Sequence, residues 1–108
     1  GKLNEAVISY QKAIKLKPNI PRSHYSLGTI LVELGNIEEA ELSIRQAIKL
    51  KPDFAEAHFY LGVILLEFGN LMKAEKSIRQ SIKIKPNFPD NYYTLGIILK
   101  HMGNIRIQ

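Results

Sequence analysis

The chain has 108 residues, 45% of them hydrophobic and 23% charged, which is the length of one domain and the composition of an ordinary soluble surface and core. With no cysteine it has no disulfide, thiolate nucleophile or thiolate metal site, and no apolar run approaches the roughly 18 residues of a membrane span. The net charge of +5 is spread as +3, −1, +2 and +1 over residues 1–20, 21–54, 55–88 and 89–108, so no basic arm for nucleic acid is indicated.

In chain order, residues 1–17 read as one helix, with Ala6, Tyr10 and Ala13 in phase and Pro18 as its stop. A second helix follows from Pro21. Tyr25, Gly28, Leu31 and Val32 recur at helical spacing, as do Leu27, Ile30 and Leu34, so it is apolar over most of its circumference. Gly35 suits a left-handed C-terminal cap. Asn36 then suits the N-cap of a third helix, with Glu39 at the spacing of a capping box. In that helix Ala40, Ile44, Ala47 and Ile48 form the stripe expected to be buried, while Glu38, Glu41, Arg45 and Lys49 face water. Glu41 and Arg45 stand at the supportive i,i+4 spacing. Pro52 ends the helix, and Asp53 is placed to cap the next.

Residues 55–88 repeat this plan, with 19 of 34 positions identical to residues 21–54. Lys17-Pro18-Asn19, Lys51-Pro52-Asp53 and Lys85-Pro86-Asn87 keep a 34-residue interval, as do Leu27-Gly28, Leu61-Gly62 and Leu95-Gly96. Gly35-Asn36, Gly69-Asn70 and Gly103-Asn104 share it. A fixed period of this length describes a stack of like supersecondary units, each burying its apolar face on a neighbour. Gly28, Gly62 and Gly96 lie inside helices, where glycine costs about 1 kcal/mol relative to alanine. Their recurrence at one register position predicts a close approach by a neighbouring helix backbone.

The pattern resembles the tetratricopeptide repeat, a helix-turn-helix unit of the same period. His24, Leu27, Gly28, Leu31, Ala40, Ile44, Ala47 and Pro52 match the family's spaced positions, and His58, Leu61, Gly62, Leu65, Ala74, Ile78, Ser81 and Pro86 match them again. Histidine replaces the family's tryptophan, and leucine or isoleucine replaces several of its aromatics. The resemblance implies an all-α fold, a right-handed α-solenoid of antiparallel helix pairs. Residues 1–20 are then the second helix of a partial repeat, 21–54 and 55–88 two full repeats, and 89–108 the first helix of another. In that register residues 89–102 are the helix, and 105–108 begin its partner. The chain reads as an excised segment of an array, and a cytoplasmic setting is expected.

The resemblance also implies that first helices line a concave groove. Carried across residue by residue, the groove-lining positions are Tyr25, Thr29 and Val32, then Phe59, Tyr60, Val63 and Leu66, then Tyr93, Ile97, Lys100 and His101. Ser26, Glu33, Glu67 and Thr94 share their register. Tyr25, Phe59 and Tyr93 recur at one position and are expected either to form an aromatic ladder for apolar peptide anchors or to pack on adjacent helices. The Lys and Asn clamp of one peptide-binding subset has no counterpart, since Tyr25, Ser26 and Thr29 stand at its positions. The asparagine ladder of the large glycosyltransferase arrays is also absent, with Ser26, Tyr60 and Thr94 in its place.

The expected function is therefore a protein-protein interaction scaffold that holds a partner protein or peptide. Two alternatives stay open: a non-catalytic arm of a larger glycosyltransferase or sulfotransferase, and a binder of anionic surfaces. The last would use Lys15, Lys49 and Lys83 with Lys17, Lys51 and Lys85, although lysine near helix C-termini also favours the macrodipole. No cofactor, metal or catalytic group is expected. His24 and His58 read as packing residues without ligand-spaced neighbours, and Glu33 and Glu67 face an open groove rather than the closed pocket that acid-base work needs. Neither terminal helix has a hairpin partner within the chain, so head-to-tail self-association is a further expectation.

Overall fold

Each Lys-Pro dipeptide closes a helix and each of the first two Gly-Asn pairs turns the chain back on itself. In the computed structural model, which describes residues 1–105, six helices result: α1 Lys2–Leu16, α2 Pro21–Glu33, α3 Ile37–Leu50, α4 Ala55–Glu67, α5 Leu71–Ile84 and α6 Pro89–Ile105. α2 packs against α3 and α4 against α5 as antiparallel hairpins, and α1·α2, α3·α4 and α5·α6 form the seams between repeats. The molecule is elongated, 52 × 28 × 20 Å. Among the described residues α2 touches α4 and α4 touches α6, whereas α1, α3 and α5 make no contact with one another. The first helices therefore lie on the inner side of the bend.

The hairpin turns close through backbone rather than side chain. Gly35 (φ 84°) and Gly69 (φ 77°) take the left-handed conformation. Gly35 N–H donates to Val32 O and Asn36 N–H to Leu31 O; Gly69 and Asn70 do the same with Leu66 and Leu65. This paired bonding satisfies the last carbonyls of each first helix. The expected asparagine caps, which would serve the N–H groups of the following helix, are weak or missing. Asn36 makes no side-chain cap bond, and Asn70 accepts from Lys73 N–H only at 3.4 Å. Phe54, not Asp53, occupies the N-cap of α4, again with no side-chain bond.

The core is the ribbon between layers. Ala40, Ile44, Ala47, Ala74, Ile78 and Ser81 are wholly buried, facing Leu27, Leu31, Leu61 and Leu65; Ile48 is half-buried. The close approach predicted at the helical glycines is made chiefly by a side chain. A Cβ on Gly28 would lie 2.6 Å from Ile44 Cδ1, and one on Gly62 would lie 2.5 Å from Ile78 Cδ1; the nearest backbone atoms, Ala40 O and Ala74 O, are at 3.4 Å. The two i,i+4 pairs form as expected, Arg45–Glu41 and Arg79–Glu75, each at 2.9 Å.

His24 and His58 are half-buried but do more than fill space. Each Nε2 donates to the proline carbonyl six residues earlier, Pro18 O and Pro52 O, at 2.8 Å. A carbonyl only accepts, so Nε2 carries the hydrogen. At the same register Tyr92 donates its hydroxyl to Pro86 O at 2.7 Å. Two kinds of side chain, imidazole and phenol, thus tie down the equivalent inter-repeat turn at three successive places.

α6 departs from the register. The helix runs through Gly103 and Asn104 to Ile105 where residues 89–102 were expected to be followed by a turn. The reverse turn at Gly35 and Gly69 is held by a following helix that packs back; α6 has none against it among the described residues, so the helical hydrogen bonds simply continue. Of the expected partner helix at 105–108, Ile105 belongs to α6 and 106–108 lie outside the described residues.

The α5–α6 region is also the most polar inside. All four buried polar residues among those described, Ser77, Ser81, Asn91 and Thr94, lie on these two helices. Ser81 Oγ donates to Ala55 O at 2.9 Å, but among the described residues both amide atoms of the fully buried Asn91 lack a partner. Ala57 holds the same register one repeat earlier. An orphaned buried polar group costs about 1–3 kcal/mol, so Asn91→Ala is expected to leave stability unchanged or raise it by up to about that amount. Urea titration followed at 222 nm checks this; a clear loss of stability would mean the amide is paired in solution.

Candidate functional site

The inner side of the bend is built by the faces of α2, α4 and α6 that point away from α3 and α5. None of the eleven expected groove residues is buried. Tyr25, Thr29, Val32, Phe59, Tyr60, Val63, Leu66 and Ile97 are half-buried, and Tyr93, Lys100 and His101 are exposed. Thr94, at the same register, is buried at 7% exposure and belongs to the interior instead. Thr29 Oγ1 donates to Ser26 O at 2.8 Å, so its hydroxyl hydrogen is spent within the helix. The floor, from Val32 through Val63 and Leu66 to Ile97, is made of apolar side chains.

The aromatic residues are neither a free ladder nor covered filler. They form a connected wall of five rings. Phe54 packs on Tyr25 (centroids 4.9 Å), Tyr25 on Tyr60 (5.6 Å), Tyr60 on Phe59 (5.6 Å) and Phe59 on Phe88 (5.1 Å), the last three contacts edge-to-face. Phe54 and Phe88 are the residues that sequence reasoning missed. Their signal was present, since both close a repeat at the same register position immediately after Pro-Asp or Pro-Asn. Edge-to-face contacts of this kind add roughly 0.5–1.5 kcal/mol each beyond burial, so the wall is held rigid before any ligand arrives. Among the described residues Tyr93 makes no such ring contact, and it stands 74% exposed.

Cations rim this wall. Arg22 lies 5.4 Å from the Tyr25 centroid and 5.2 Å from that of Phe54, Lys51 5.2 Å from Phe54, and Lys85 5.4 Å from Phe88. Lys85 also bridges to Glu56 at 3.3 Å. Burial pushes the Tyr25 phenol above its ordinary range, helped by Tyr60 and Glu56 and opposed by Arg22, so it is a neutral donor at physiological pH. The hydrogen bond from its own backbone N–H holds Glu56 below the usual carboxylate range; partial burial opposes this, and Lys85 and Arg22 add to it. At the opposite edge Glu33 and Glu67 are exposed and form no ion pair among the described residues.

Between the ends of α4 and α6 and the start of α5 lies an open cleft of about 520 Å³, lined by Leu66, Glu67, Gly69, Leu71, His101 and Ile105. It joins two expected groove residues, Leu66 and His101, to the acidic edge. Among the described residues no group of three His, Asp or Glu side chains is placed to hold a metal ion, and no helix is long and apolar enough to cross a membrane.

A family model described as tetratricopeptide repeat matches residues 25–91, and a second, described as TPR repeat, matches residues 1–35. The chain belongs to the tetratricopeptide repeat family. Comparison of this TPR chain with curated proteins finds no match. Among solved structures it is similar to MamA at a TM-score of 0.89 and 27% identity, over 95% of this chain and 60% of that one. It is similar to the first TPR of Spaghetti (RPAP3), solved bound to the HSP90 peptide SRMEEVD, at a TM-score of 0.92 and 21% identity, over 95% of this chain and 82% of that one. The O-GlcNAc transferase of Thermobaculum terrenum aligns at a TM-score of 0.86 and 22% identity, over 92% of this chain but 19% of that one. The likenesses at 21% and 22% identity carry the TPR fold alone.

Proposed function

We propose that this TPR chain is a non-catalytic scaffold that holds a peptide or partner segment on the inner side of α2, α4 and α6. The observation that carries the reading is the run of apolar and aromatic side chains on that side, Val32, Phe59, Val63, Leu66 and Ile97, each half-buried, with Tyr93 exposed, none of them fully buried among the described residues. A contiguous apolar surface with a polar rim is the signature of an interaction site. The pre-packed ring wall lowers the ordering cost of binding, because its side chains lose little freedom when a ligand docks. The Spaghetti domain bound to an HSP90 peptide is a precedent for peptide capture on this fold. The ligand taken here differs in kind: no lysine and asparagine clamp is present, and the floor favours apolar anchors.

Selection of a peptide library on the immobilised chain, followed by calorimetry, tests the reading. Val63→Arg puts a charge in the middle of the floor and is expected to weaken selected peptides at least tenfold, about 1.4 kcal/mol. Leu42→Arg, on the outer side at 71% exposure, is expected to leave affinity unchanged. Equal binding by the wild type and Val63→Arg would place the ligand elsewhere. Self-association is part of the same proposal, with α1 of one copy meeting α6 of the next so that the inner surface is lengthened.

A further inference from the structure

We propose that the outer side carries a second binding site, a cationic trough between α3 and α5 that takes an extended acidic segment of a partner protein. Among the described residues α3 and α5 make no contact with each other, and each of α3, α4 and α5 has a helix packed on either side of it. The two second helices are therefore walls, and α4 is the floor between them. Two adjoining hollows of about 280 and 330 Å³ lie there and share Arg45 and Leu61. Lys49 lines one of them; Lys73 and Lys76 line the other.

Positive charge gathers in the trough without compensation. Lys49, Lys73 and Lys76 are exposed and form no ion pair among the described residues. Arg45 commits its Nε hydrogen to Glu41 at 2.9 Å, which leaves the hydrogens of its two Nη atoms. Among the described residues no carboxylate lines either hollow. Ser77 lines the hollow of Lys73 and Lys76 at 8% exposure, and among the described residues its hydroxyl makes no hydrogen bond. A buried hydroxyl left unpaired is costly until an acceptor reaches it, and a carboxylate entering this hollow is such an acceptor.

The preceding repeat supplies the contrast. One period earlier, at the seam of α1 and α3, the positions of Arg45, Lys49, Lys73 and Lys76 hold Gln11, Lys15, Glu39 and Leu42. One cation and one carboxylate stand there in place of four cations. Helix stability does not account for the change. Lys73 is in the first turn of α5, which has no acidic residue, whereas the first turn of α3 has Glu38 and Glu39. A cation at a helix start opposes the macrodipole; only Lys49, in the last turn of α3, favours it. An anionic ligand is what offsets the misplaced charge.

The floor runs from His58 through Leu61 to Leu65, about 10 Å along a helix axis and so about three residues of extended chain. The occupant is a short stretch in which carboxylates flank one apolar side chain, the latter resting on Leu61 and Leu65. Nucleic acid fits less well, since among the described residues no Phe, Tyr or Trp lines either hollow to stack a base. A membrane fits less well because the apolar floor is recessed between two helices.

The test is titration of the isotope-labelled chain with a capped Gly-Glu-Leu-Glu-Gly peptide, read by amide chemical shifts at about 0.1 M salt, where charges more than about 10 Å apart are largely screened. Saturable shifts are expected at Arg45, Leu61, Lys76 and Ser77. Lys73→Glu with Lys76→Leu gives α5 the residues that α3 already carries in the same fold, and is expected to weaken binding at least about tenfold. Lys2→Glu with Lys12→Leu makes the same change of charge at exposed positions of α1 and is expected to leave binding within about twofold. Shifts confined to Phe59, Val63 and Ile97 on the inner side, no saturable shift at Arg45 and Ser77, or equal affinities of the two double variants would overturn the site. A single-stranded oligonucleotide, or phosphatidylglycerol vesicles, moving the same amides at lower concentration than the peptide would overturn the assignment to a protein segment.

Discussion

Leu61→Ala is expected to cost about 2–5 kcal/mol, measured by chemical denaturation followed at 222 nm. Leu61 is 6% exposed on α4, the helix that packs against α5 in its own hairpin and α3 in the preceding one. Its truncation removes buried methyl groups, and the cavity cannot be refilled cheaply because Ile78, Ala74 and Ala57 in the same core cluster are already fully buried. In a solenoid the total stability is approximately a sum of repeat and nearest-neighbour terms. A lesion in α4 therefore weakens two adjoining terms at once. Leu95→Ala, one period later on the half-buried face of α6, is expected to cost distinctly less. Equal losses at the two positions would mean that stability is not distributed along the array in this way, and a loss at Leu61 below about 1 kcal/mol would remove it from the seam.

The residues that punctuate the chain carried most of the architecture into the sequence. Proline at 52 and 86 and glycine at 35 and 69, each just past an amphipathic or apolar run, mark helix ends that could be placed before any packing was known. The stripe Ala40, Ile44, Ala47 was legible for the same reason, since its spacing has one reading. Side-chain roles that depend on a neighbour were harder. Asn36 and Asp53 have the chemistry of caps, but whether a side chain reaches the first N–H groups of the next helix depends on how the turn presents it: Asn36 makes no such bond, and Phe54 rather than Asp53 stands at the N-cap of α4. His24 was recognisable as a packing residue, but its bond to Pro18 O depends on how the inter-repeat turn folds back, which spacing does not specify. The ring wall was half legible. Tyr25, Phe59 and Tyr60 stood out as groove positions on α2 and α4, whereas Phe54 and Phe88 lie in the connections and join the wall only through the approach of successive repeats. Gly103 was misleading for a related reason. A glycine cap is a permission to turn, and the chain uses it only where a following helix packs back.

The pair Gly62→Leu and Gly96→Leu is expected to separate in sign, although both change the same register position of the same repeat. At Gly62 a Cβ alone would stand 2.5 Å from Ile78 Cδ1 and 2.7 Å from Ile78 Cγ1. The tip of an isoleucine can sometimes yield, but Ile78 is fully buried and β-branched, with little freedom at χ1. A whole leucine there must drive α5 away from α4, and overpacking of this kind costs about 1–3 kcal/mol or somewhat more. The gain in helix propensity on losing glycine, about 1 kcal/mol, does not offset it. At Gly96 the steric term vanishes, because among the described residues nothing outside its own helix turn lies within 4 Å of the added Cβ, and only the propensity gain remains. Gly96→Leu is thus expected to raise the thermal midpoint of the monomer, read at a concentration low enough to avoid association, and Gly62→Leu to lower it. Destabilisation by both would show that a second helix already covers Gly96 in the isolated chain; tolerance of both would show that Ile78 is not locked into the glycine, and the hairpin seam would have to be redrawn around Leu61 and Leu65 alone.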